Sequence, residues 1–75
     1  MFGIKLKELR KEKNLTQKQL AENLGCNQSM VCFWENEVNE PTESMIRKAA
    51  LFFDVSADYL LGLEDETGAK LNPET

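Results

Sequence analysis

Histidine is absent from this 75-residue sequence, cysteine occurs twice and tryptophan once. Cys26 and Cys32, with no histidine to join them, cannot complete the four-ligand shell of a structural zinc, and two thiols are a thin disulfide framework. The missing histidine also removes the commonest general base. With no Ser/His/Asp constellation and no glycine-rich phosphate loop, catalysis is not expected. No run approaches the roughly 18 apolar residues that a membrane span requires, and the first five residues lack the apolar stretch of a signal peptide. A cytoplasmic protein is therefore expected, with no cofactor, no metal, no membrane and no small-molecule substrate. No alternating run rich in Val, Ile and Thr occurs, which leaves helices.

What is present fits one small domain: 41% of the residues are hydrophobic and 29% charged, enough for a single compact core. The net charge of −4 conceals a division. Residues 1–24 set Lys5, Lys7, Arg10, Lys11, Lys13 and Lys18 against Glu8, Glu12 and Glu22, for +3, and the remainder carries −7. A nucleic-acid partner usually leaves a basic footprint, and here that footprint is confined to the N-terminal third.

Apolar residues recur at spacings of three and four, and the spacing predicts five helices. The first covers about residues 4–13, with Phe2, Leu6 and Leu9 on one stripe and Asn14 at its left-handed end. The second begins at a capping box, Thr16 with Gln19, and stops at Gly25. The third starts after a turn of only Gly25 and Cys26, with Asn27 as cap and residues 28 to about 36 as body. Helices joined so tightly must cross steeply, which is the helix-turn-helix arrangement. Thr42 caps a fourth helix over residues 43–53, ended by Asp54, and Ser56 caps a fifth over residues 57–61. Residues 64–75 form an acidic tail expected to be flexible, so the domain proper is assigned to residues 1–63.

At 100° per residue the third helix divides into two arcs. Asn27, Met30, Val31, Trp34 and Glu35 fall on the arc expected to pack inward. Gln28, Ser29, Cys32 and Phe33 fall on the other. Gln28 can bond adenine in bidentate fashion, Ser29 can bond several base edges, and Phe33 can meet a thymine methyl, so the outer arc could read bases.

The residues Leu9-Arg10, Leu15-Thr16-Gln17-Lys18-Gln19-Leu20-Ala21, Gly25, Trp34-Glu35, Pro41, Ala50, Val55-Ser56 and Leu60-Leu61-Gly62 together resemble the Cro/C1-type (XRE) helix-turn-helix domain of phage and bacterial repressors. The likeness spans residues 4–62 without a gap in the motif. It implies an all-α, compact five-helix, lambda-repressor-like domain. It also implies a transcriptional regulator, a repressor, that binds double-stranded operator DNA as a homodimer with its third helix in the major groove. By position, Gln28, Ser29, Cys32 and Phe33 match base-reading residues; Thr16, Gln17, Lys18, Asn27 and Asn36 match phosphate contacts. Arg10 and Glu35 match an ion pair that joins the first helix to the end of the third. Phe52, Tyr59 and Leu63 offer apolar surface for a dimer.

Two departures bear on function. Phe33 stands where relatives commonly carry a long polar side chain, and the loop over residues 36–43 carries Glu37, Glu40 and Glu43 where phosphate would pass. The family's usual glycine after the third helix is also displaced. Asn36 is expected to take the left-handed turn there, since Glu37 adopts it less readily. Either the loop turns its acids away or binding is weakened. The alternative reading is a protein-interaction module or antitoxin that keeps the fold, with Phe33 and the acidic loop facing a protein partner.

Overall fold

The computed structural model describes residues 1–62 and contains five helices in the order α1 (Phe2–Glu12), α2 (Gln17–Leu24), α3 (Gln28–Glu35), α4 (Glu43–Phe53) and α5 (Ala57–Leu60). The domain edge at residue 63, the acidic tail and Leu63 lie outside the described residues. Among the described residues there is no strand, and no helix is long and apolar enough to cross a membrane.

Helix starts follow the local chemistry. The Thr16 hydroxyl accepts the Gln19 amide at 3.0 Å while the Gln19 side chain accepts the Thr16 amide at 2.9 Å, closing the capping box. Asn27, Thr42 and Ser56 each accept the amide three residues on, at 3.0, 3.2 and 3.0 Å. Only α1 departs from expectation at its start. It begins at Phe2 rather than near residue 4, with no side-chain cap from Met1.

The ends share one geometry. After α1, α2, α3 and α4 a residue with positive φ turns the chain back: Asn14 (56°), Gly25 (73°), Glu37 (58°) and Asp54 (56°). At each end two carbonyls of the last turn accept the next two amides in the crossed pattern of a Schellman closure, as when Trp34 and Phe33 accept from Glu37 and Val38 at 3.0 and 2.9 Å. The expectation for the third helix needs correction here. Asn36 keeps φ at −93°, and Glu37 takes the left-handed position instead.

Phe2, Leu6, Leu20, Ala21, Leu24, Val31, Trp34, Ala49, Phe53 and Leu60 form the buried core, so every helix contributes. Phe2 meets Trp34 edge to face with ring centroids 6.0 Å apart. The α2–α3 pair packs most extensively, α1 lies against α3, and α4 supports α2 from behind. Ala21, buried on α2, is small enough to let a neighbouring helix cross closely. The outcome for the site is that α3 has one side in the core and the other side free.

Candidate nucleic-acid interface

On α3, Val31, Trp34 and Glu35 are buried, Met30 is half-buried, and Gln28 and Ser29 are exposed. Phe33 is 41% exposed, and Cys32 is half-buried, its sulfur accepting from the Asn36 side-chain amide at 3.3 Å. Gln28, Ser29, Cys32 and Phe33 thus share the outer side of one helix. Asn27, assigned to the inner arc, is exposed instead, and its side chain reaches forward to accept the Met30 amide and cap the helix.

The inner side is fixed by charge. Arg10 Nε donates to Glu35 Oε2 at 2.7 Å and Arg10 Nη2 donates to Glu35 Oε1 at 3.1 Å, with only 12% and 2% of the two side chains exposed. The third guanidinium arm, Nη1, donates to the Leu15 carbonyl at 2.7 Å in the turn between α1 and α2. One planar fork therefore ties α1, that turn and the last residue of α3 together.

Gln17 joins the same network, with its Nε2 donating to Glu35 Oε1 at 3.1 Å. A carboxylate only accepts, so the bond sets which way the Gln17 amide faces and leaves one N–H to spare. Around it, Lys18 is exposed in the first turn of α2, where unpaired amides and the helix dipole favour an anion. The Thr16 oxygen is occupied as a cap acceptor, yet its hydroxyl proton is free to donate. Asn36 is exposed at the far end of α3.

The loop acids do not behave alike. Glu37 Oε1 accepts from the Met1 ammonium at 3.1 Å and from the Ile4 amide at 3.2 Å. The ammonium first, and the Ile4 and Gly3 amides after it, hold this carboxyl below the usual carboxylate range. Sequence reasoning missed this role, since nothing local in residues 1–4 or 36–40 announces a contact across 33 residues. Glu43 pairs with Arg47 at 2.6 Å, one turn along α4. Glu40 is exposed.

Elsewhere, Cys26 packs against the core under the α2–α3 turn, and burial raises its thiol, only partly opposed by nearby Lys48. Phe52 spends surface on Phe53, edge to face at 4.9 Å, and the Lys5 ammonium lies 4.8 Å from the Tyr59 ring centre. Leu51, absent from the expected dimer residues, is 83% exposed.

A capped helix, a left-handed glycine turn and a second helix with one buried and one free side make α2 and α3 a helix-turn-helix. The helix-turn-helix family model matches residues 6–60, and the chain belongs to the Cro/C1-type helix-turn-helix family. It is 38% identical over 71 residues to the uncharacterized HTH-type transcriptional regulator YobD of Bacillus subtilis, an alignment covering 95% of this chain and 63% of YobD. The chain thus spans less than two thirds of that relative's length. Among solved structures it resembles SinR of Bacillus subtilis, the master regulator for biofilm formation, in complex with DNA. There the TM-score is 0.75 at 32% identity, over 81% of this chain and 98% of that one. It also resembles the restriction-modification controller protein C.AhdI of Aeromonas hydrophila, with a TM-score of 0.72 at 34% identity over 79% and 89% of the two chains.

Proposed function

We propose that this chain is a sequence-specific double-stranded DNA-binding regulator of transcription, a repressor that acts in the cytoplasm by occupying an operator. The observation that carries the reading is the two-sided state of α3. Its inner side is locked by the Arg10–Glu35 pair while Gln28 and Ser29 stand exposed on the outer side beside Phe33. In the major groove, Gln28, Ser29, Cys32 and Phe33 would face base edges. Thr16, Gln17, Lys18, Asn27 and Asn36 would hold the phosphates on either side. The likeness to SinR solved with DNA supports the same assignment. A homodimer would set two such helices about 34–36 Å apart, one turn of the duplex.

The test is selection from a pool of random duplexes, sequencing the bound fraction for the native chain and for Gln28→Ala. A two-fold symmetric motif that relaxes at one position per half-site in the variant is expected. One observation favours a second reading, a protein partner: exposed Phe33 accepts at its carbonyl from the amide of Val38, which is 66% exposed in a loop that also carries exposed Glu40. Recovery of no motif even at low salt would select that reading.

A further inference from the structure

Four of the five helices cap themselves, through the side chains of Thr16, Asn27, Thr42 and Ser56. Helix α1 does not. Its Ile4 amide, in the same register as the amides those local caps take, is accepted by Glu37 at 3.2 Å. The same residue closes α3, in a left-handed conformation at φ 58° that residues with a Cβ adopt only at a cost.

The two helices are in backbone contact at this point. A Cβ added at Gly3 would collide with the Trp34 carbonyl and press on the Glu37 carboxylate, so the first turn of α1 lies directly on the last turn of α3. Trp34, Glu35 and Glu37 follow one another at the exit of the helix that would enter the groove. The Arg10–Glu35 pair ties that exit to the last turn of α1, and Glu37 ties it to the first.

We propose that Glu37 is a positioning residue for DNA binding: by capping α1 from the end of α3 it fixes the angle of the recognition helix and of the loop that follows. The proposal rests on the DNA-binding reading above. It reverses the electrostatic expectation for this residue. An acid that acts on DNA only through its charge weakens binding, and removing it tightens binding. An acid that acts as a clamp does the opposite. Glu40 provides the comparison, since it lines the same recess as Glu37 and makes no hydrogen bond or ion pair among the described residues.

The experiment is fluorescence anisotropy of the full chain on a duplex of about 20 base pairs carrying the selected motif. Native protein is compared with Glu37→Met, Glu37→Gly and Glu40→Met, and amide hydrogen exchange is measured without DNA. Methionine keeps the length of the side chain and removes both the charge and the acceptor oxygen, so Glu37→Met and Glu37→Gly should each lose about fivefold in affinity, the size of a lost helix cap, while Glu40→Met gains. Exchange at Ile4 and Val38 should accelerate in Glu37→Met with cooperative melting retained. Tighter binding by Glu37→Met, matching Glu40→Met, would overturn the proposal, as would unchanged exchange at both amides. Native affinity in Glu37→Gly would mean that relief of the turn outweighs the clamp, and would overturn it too. If native protein bound no duplex, the DNA reading itself would fail, and the positioning role with it.

Discussion

Arg10 and Glu35 are worth more as a pair than either is worth alone. Both are nearly excluded from water, so each has surrendered its hydration and relies on the other, with Leu15 and Gln17 completing the hydrogen bonds. Replacing only Arg10 by Met leaves a carboxylate buried beside an amide. Breaking a buried pair in this way costs about 3–5 kcal/mol, a large share of the roughly 5–15 kcal/mol that holds a domain together. Arg10→Met should therefore shift the urea midpoint sharply downward, while Arg10→Met with Glu35→Met recovers most of the loss. A double variant no more stable than the single one would show that the charges are solvated after all. The pairing was legible through the family resemblance, in which Arg10 and Glu35 match an ion pair, and Glu35 also fell on the inward arc of the third helix. The bond from Gln17 to Glu35 was not, since the choice of a side-chain amide between protein and solvent depends on where another helix ends.

Helix boundaries were readable where the governing chemistry is local. Thr16 with Gln19, Asn27, Thr42, Ser56 and Gly25 all act within a few residues of their own position, and the structure has them so. The start of α1 and the turn after α3 were misjudged for one shared reason. Both meet at Glu37, whose carboxylate reaches across 33 residues to the Ile4 amide, a contact that no local pattern encodes. Asp54 is the contrasting case. It adopts φ 56° at the end of α4, where the helix dipole disfavours a negative charge, and its carboxylate has no compensating hydrogen bond or ion pair among the described residues. Asp54→Gly should therefore stabilise the domain by about 1 kcal/mol, read as a raised melting temperature. Glu37→Gly, at the same kind of turn, should not stabilise it. Equal gains at the two sites would mean that backbone strain alone governs both.

At the scale of the whole molecule the question is how a chain of net charge −4 holds a polyanion. The basic first third, which includes the start of α2, answers part of it, since it carries +3 while the remainder of the chain carries −7. Two-fold pairing would supply the rest, because a second domain bound to the same duplex acts at high effective concentration and multiplies a modest single-site affinity. That pairing was expected on Phe52, Tyr59 and Leu63, and Leu51, next to Phe52 on α4 and 83% exposed, is proposed to join that surface. An exposed residue contributes little to its own fold, so Leu51→Asp should melt as the native chain does and should bind an isolated half-site equally well. On the full two-fold site it should bind about a hundredfold more weakly, and light scattering should find two native chains per duplex. A native chain that stays monomeric at high micromolar concentration, with and without DNA, would remove the dimer. Full-site affinity would then have to come from one domain, and the basic face would have to extend well beyond the start of α2.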